Sequence, residues 1–294
     1  MKKACCTAAL ALILAAAAVM PAKAEKGGEK LNVFVSIPPQ KHFVEQIAGD
    51  GVSIKVMVSP GAHPATYEPT ARQMAALSEC DLYFAVGVPF EKAWMKKIVG
   101  ANPDIRVVRT DAWIEKQPVE RGSHNHNGHD HGTADPHTWL SPPLVMVQAR
   151  HILTALTAAD PENADSYNSR YKDFISKTAE LDEKLRSLFP AGEKKPEFMV
   201  FHPAWGYFAD AYGLKQTAVE TEGKSPKAAE ISRIVEHARK KDIGTVLVQP
   251  QISERTAEMI ASEIRGELVK ADPLAENWQE NLLEVAEIIS RASR

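Results

Sequence analysis

The chain has 294 residues, 44% of them hydrophobic and 25% charged, with a formal charge of −3. That balance argues against a nucleic-acid binder, and three cysteines are too few to staple a fold. Only one stretch is apolar enough to suggest a membrane segment, which argues against a bundle of membrane helices.

That stretch comes first. Lys2 and Lys3 precede an apolar run from Ala8 to Val19, and Pro21-Ala22-Lys23-Ala24 supplies the small residues of a cleavage site. The order predicts a secretory signal peptide over residues 1–24, cut near Ala24, and an exported protein that is soluble afterwards. Cys5 and Cys6 leave with it, so Cys80 alone remains and no internal disulfide is expected. Loss of Lys2, Lys3 and Lys23 takes the formal charge to −6, tolerable for a cation binder and poor for a partner of nucleic acid.

From residue 31 onward strands alternate with helices. Leu31–Ile37, Ser53–Val58, Asp81–Gly87 and Arg106–Arg109 read as strands, with a helix over Gln73–Ser78. The second half repeats the rhythm, with strands at Phe198–His202, Gln216–Val219, Thr245–Gln249 and Glu267–Ala271 and helices over Lys227–Lys241 and Glu254–Ile264. Between the halves, Tyr167, Tyr171, Phe174, Thr178, Leu181, Leu185 and Leu188 recur at helical spacing, one face of a long helix from about Pro161 to Leu188. Asp160-Pro161-Glu162 reads as its cap, first-turn proline and first-turn acid. The pattern predicts an α/β protein of two lobes, each a mostly parallel four-stranded sheet flanked by helices, joined by one long rigid helix. The expected division is an N-terminal lobe over 25–158, the connecting helix over 159–189 and a C-terminal lobe over 190–294.

Histidine and the acids carry the chemistry. The segment 119–133 holds His124, His126, His129 and His131 among Gly, Asn, Asp and Ser, too polar to pack. It reads as a mobile loop offering secondary metal contacts, with a solvated spacer as the bland alternative. Rigid sites form at strand ends. Three segments qualify: Asp135-Pro136-His137-Thr138-Trp139-Leu140-Ser141-Pro142, Phe198 to His202-Pro203, and Asp272-Pro273-Leu274. One such histidine alone would more often be structural; His137, His202 and Asp272 together point to a shared interlobe site.

These segments, with Tyr67-Glu68-Pro69-Thr70, Asp81 through Gly87 to Glu91, and Tyr207-Phe208 to Tyr212-Gly213-Leu214, resemble the zinc- and manganese-binding solute-binding proteins of bacterial metal ABC importers. The pieces run in order through essentially the whole mature chain. The resemblance implies a periplasmic monomer that holds a divalent metal between its lobes and delivers it to a membrane permease. The His-rich insertion is a feature of the zinc binders, so zinc is expected ahead of manganese. By position, His137 and His202 match ligands, and Asp272 matches the late acidic ligand, with Asn281-Leu282 following. The first ligand departs from the pattern: Pro64-Ala65-Thr66-Tyr67 puts alanine where the family carries histidine. His63 is expected to serve instead, Gly61 easing the loop, with Glu68 and Glu222 as weaker candidates. Three imidazoles and a carboxylate form a closed tetrahedral set that suits zinc. Affinity should then fall as pH drops through about 6.5. A secreted zinc hydrolase on the same ligands and a surface adhesin are the alternatives. No His-Glu-x-x-His helix, Gly-x-Ser-x-Gly elbow or Walker glycine loop supports an enzyme, and no lipobox supports an adhesin.

Overall fold

The computed structural model describes residues 30–119, 134–190, 195–220, 226–252 and 254–292. The signal peptide, the four histidines of segment 119–133 and Glu222 lie outside the described residues. The first half runs β1 (Leu31–Val35), α1 (Pro38–Ala48), β2 (Val52–Val56), α2 (Ala71–Leu77), β3 (Leu82–Ala85), α3 (Pro89–Ala101), β4 (Arg106–Arg109) and α4 (Pro142–Ala159). A 3-10 turn, Pro161–Asn163, leads into α5 (Ala164–Leu188). The second half runs β5 (Glu197–Val200), α6 (Gly206–Ala211), β6 (Lys215–Ala218), α7 (Ala228–Lys240), β7 (Thr245–Val248), α8 (Arg255–Ile264), β8 (Glu267–Lys270) and α9 (Trp278–Ala292).

The strands form two four-stranded sheets, ordered β2-β1-β3-β4 and β6-β5-β7-β8. Every pairing is parallel. Both sheets therefore reverse direction of growth between their first and third strands in sequence. Crevices outside the carboxyl ends at such reversals are where open α/β sheets bind ligands. The eight expected strands are all present, within two residues at each end; the central ones, β1, β3, β5 and β7, read as apolar runs because both their faces are largely buried. α1, α3, α4, α6 and α9 lie where the sequence reading names no element. Three of them start on proline, Pro38, Pro89 and Pro142, whose fixed φ and missing N–H suit a first helical turn.

The long helix starts differently from its expected form. Asp160 does not cap it with its side chain; Asp160 Oδ2 instead accepts from Asn163 Nδ2 at 2.8 Å and Tyr167 Oη at 2.6 Å. The acid thus pins the first turn of α5 through side chains and leaves the backbone amides to the 3-10 turn. Along the expected stripe Tyr167, Phe174, Thr178, Leu181 and Leu185 are buried, and Tyr171 and Leu188 are partly so. They pack on α1 and α4 of the first half and on α9 of the second. One continuous core consequently runs from β1 through α5 to α9. Strand β5 divides its side chains by alternation: Phe198 and Val200 join that core, whereas Met199 joins a smaller one under α7 and α8. A shared core favours a stiff two-lobed body over a wide hinge. Among the described residues no helix is long and apolar enough to cross a membrane.

Candidate metal centre

The site is assembled from strand ends. β2 runs out through Gly61, whose φ of 78° turns the chain in a way side-chain-bearing residues resist. The turn closes with Thr66 N–H donating to the His63 carbonyl at 3.2 Å. β5 runs out to His202, β6 to Glu220, β7 to Gln251 and β8 to Asp272. His137 departs from the strand-end expectation. It sits just before the 3-10 turn Thr138–Leu140 that feeds α4, anchored where Pro118 bridges Ala134 and Asp135 N–H donates to the Gln117 carbonyl at 2.7 Å.

Tertiary structure brings three of the expected residues together. The His63 and His202 ring centroids are 5.1 Å apart and nearly perpendicular, and those of His137 and His202 are 5.3 Å apart. Metal–nitrogen bonds of about 2.0–2.1 Å in tetrahedral directions would set neighbouring imidazole centroids roughly 5 Å apart. Each of these two spacings matches a pair of rings sharing a zinc-sized ion, with His202 the ring common to both.

Two of the rings are oriented by carboxylates. His137 Nδ1 bonds Asp135 Oδ1 at 2.7 Å, and that same oxygen accepts the His137 backbone N–H at 2.9 Å. His202 Nδ1 bonds Glu220 Oε1. Each carboxylate keeps the ring proton on Nδ1 and leaves Nε2 as the lone-pair donor, the arrangement that raises imidazole basicity at metal sites. Asp135 is itself 2% exposed and Glu220 5%, so these bonds are sheltered from water. Replacing Glu220 by Gln, or Asp135 by Asn, should weaken zinc binding about 10–100-fold with the fold intact. Competition against a chromophoric chelator measures this, and an unchanged affinity would remove the orienting role.

His63 is held differently. Its Nδ1 accepts the Ala65 N–H at 3.1 Å, which places the neutral ring's proton on Nε2. The alanine in the slot where histidine was expected thus steadies the His63 ring with its backbone. Ligation through Nε2 requires that bond to be given up. Asp272 is also engaged: its Oδ1 accepts Leu274 N–H at 2.9 Å and Gln251 Nε2 at 3.0 Å. As they stand, no three His, Cys, Asp or Glu side chains among the described residues form a closed metal cage. Asp272 is tied beside His137 through Trp139, whose Nε1 donates to the Pro273 carbonyl at 2.7 Å while its ring lies 5.1 Å from that of His137. Glu68 is exposed, and no hydrogen bond or ion pair joins it to the three histidines.

Burial favours the neutral form of His63 and His137. Burial pushes His63 down to about 4, helped by repulsion from His202 and His137 and opposed by Glu220. Burial also lowers His137, against the pull of Asp135. Proton competition at these two rings consequently begins below the 6.5 expected for free histidine. Unfolding releases both rings to protonate near 6.5. The His63 contribution is therefore complete above about 6.5 and lost as pH falls towards about 4, and that of His137 is lost in the same direction. Denaturation midpoints of the metal-free protein should drop between about pH 7.5 and 5, and by less in His63→Ala; identical drops would contradict the assignment.

Sequence reasoning missed Glu220 and Gln251. An acid or amide after a short strand carries no motif, and only the parallel register of β5 with β6 and of β7 with β8 sets each beside its partner. Asp135 was visible as part of a segment, without its role.

The sequence matches the family described as zinc-uptake complex component A, periplasmic (ZnuA), over residues 33–292. It is 30% identical over 249 residues to the high-affinity zinc uptake system protein ZnuA of Bacillus subtilis (strain 168), covering 82% of this chain and 77% of that one. The manganese-binding lipoprotein MntA of Halalkalibacterium halodurans (strain ATCC BAA-125 / DSM 18197 / FERM 7344 / JCM 9153 / C-125) is 24% identical over 269 residues, 90% of this chain and 86% of that one. A crystal structure of ZnuA aligns with a TM-score of 0.84 at 36% identity, covering 90% of this chain and 100% of that one.

Proposed function

Because the chain belongs to the zinc-uptake component A family, we propose that it captures a divalent metal, zinc foremost, outside the cytoplasmic membrane and delivers it to an ABC-type permease. The ligands are His63, His137 and His202 through nitrogen and Asp272 through oxygen. The observation that carries the reading is the convergence of three imidazoles from both lobes, two of them locked by buried carboxylates. Three nitrogens and one oxygen suit zinc, whereas manganese favours more oxygen donors. Four protein ligands leave no open position for an activated water, so capture rather than hydrolysis is the chemistry of the set.

Export rests on the signal peptide, with the mature chain starting near Glu25. The segment 119–133 supplies secondary contacts through His124, His126, His129 and His131, gathering ions beside the His137 site. Since Pro118 bridges Ala134, the segment can be excised and its ends rejoined by a short glycine link with little strain. The shortened protein should retain one tightly held zinc and lose its weaker equivalents, read by metal content after dialysis. Loss of the tight site on excision would move the binding function to the segment.

A further inference from the structure

The carboxyl end of β7 carries a side chain that neither the donor set nor the two orienting carboxylates require. Gln251 lies three residues beyond β7, and its Nε2 donates to Asp272 Oδ1 at 3.0 Å. Leu274 N–H donates to that same oxygen at 2.9 Å, and Asn281 Nδ2 holds the Asp272 carbonyl at 2.9 Å. Among the described residues both bonds to the carboxylate fall on Oδ1, and none falls on Oδ2. Gln251 Oε1 is buried and has no partner. Turning the amide over would aim that oxygen at a carboxylate oxygen, acceptor against acceptor. The unpartnered Oε1 is therefore the consequence of keeping the amide N–H on Asp272.

We propose that Gln251 is a positioning residue for metal selection. Together with the Leu274 N–H it occupies Oδ1, so that Asp272 offers Oδ2 alone as a single-oxygen ligand. The inference rests on the reading of Asp272 as the fourth ligand. One oxygen with three imidazole nitrogens makes four donors, the number zinc takes in closed sites. A carboxylate free to swing could present both oxygens and serve a metal that prefers more oxygen and higher coordination. An uncharged donor also leaves the carboxylate its full charge for the ion, which a lysine in the same place would not. A mere loop tether between the ends of β7 and β8 would affect every metal alike.

The test uses the mature chain with Gln251→Ala, with Gln251→Met to keep bulk while removing the donor, and with Asp272→Ala. Zinc and manganese affinities are measured by chelator competition, and visible absorption of the cobalt(II) complex reports coordination number. The unaltered chain should give intense four-coordinate bands. Both Gln251 variants should give weaker bands and a zinc-to-manganese affinity ratio lower by about 10-fold. Unchanged bands and ratio, or equal losses for both metals, would overturn the proposal. Asp272→Ala separates the two levels. If it leaves zinc affinity and the cobalt bands intact, the ligand assignment fails and the inference with it. If it abolishes them while the Gln251 variants behave as the unaltered chain, only the role of Gln251 fails.

Discussion

His137→Ala/His202→Ala should bind zinc about 10⁴-fold more weakly than the unaltered chain while folding normally. Structural zinc sites hold their ion with about 10–16 kcal/mol, so four ligands contribute roughly 3 kcal/mol each and two removed cost about 6. The two residues come from opposite halves, one before α4 and the other after β5, and their rings are 5.3 Å apart. Removing both also leaves Asp135 and Glu220 without the rings they orient. The remaining His63 is bonded to Ala65 and is a poor ligand alone. Metal content and titration of the mature protein read the effect. Full retention of zinc would relocate binding to the segment 119–133 and dismantle the interlobe site.

Trp278→Ala should be the most damaging single change to stability among those considered. The ring is 1% exposed, lies 5.0 Å from the Phe43 ring at a near-perpendicular angle, and stands 6.4 Å from His42. It therefore joins α9 of the second half to α1 of the first. Truncating a buried tryptophan costs about 3–5 kcal/mol. Its Nε1 also donates to the Trp139 carbonyl at 2.7 Å, and losing that bond strands a buried acceptor at roughly 1–3 kcal/mol more. Trp139 in turn donates to the Pro273 carbonyl, so the two indoles form a relay from α9 through Trp139 to the Asp272 loop. Trp278→Phe keeps an aromatic ring while removing the donor and the smaller part of the buried volume. It should cost the smaller increment and still lower zinc affinity, because the relay next to His137 is cut. Urea denaturation of metal-free protein, paired with zinc titration, distinguishes packing from positioning. Equal stability of Trp278→Phe and the unaltered chain would leave both the hydrogen bond and the pyrrole half of the ring without energetic weight.

The shared core explains why stability and metal affinity are expected to move together here. Val33, Phe43, Phe174, Leu185, Leu274 and Trp278 belong to one cluster that ignores the boundary between the halves. A metal held between the lobes then adds to an interface already packed. On the proposed ligand set, capture would need local shifts at His63 and at Asp272, not separation of the sheets.

Local chemistry alone determined a large part of this protein. Burial on both faces makes parallel strands apolar runs, so Leu82–Ala85 and Thr245–Val248 could be read from composition. The helical period of Tyr167, Phe174, Thr178, Leu181 and Leu185 marked α5, because a helix packed along one side must repeat its apolar contacts about every 3.6 residues. His137 and His202 stood out because each adjoins a proline near an apolar segment. Tertiary structure alone decided the rest. His63 meets His202 only because the chain turns at Gly61 and Ala65 donates its N–H back to the ring. Glu220 reaches His202, 18 residues away, because β6 lies parallel to β5 and both carboxyl ends open on the same edge. Gln251 reaches Asp272 for the same reason, by the pairing of β7 with β8. Periodicity records what each residue is buried against locally. Which strand ends become neighbours depends on sheet order and register, through-space relations that no single segment encodes.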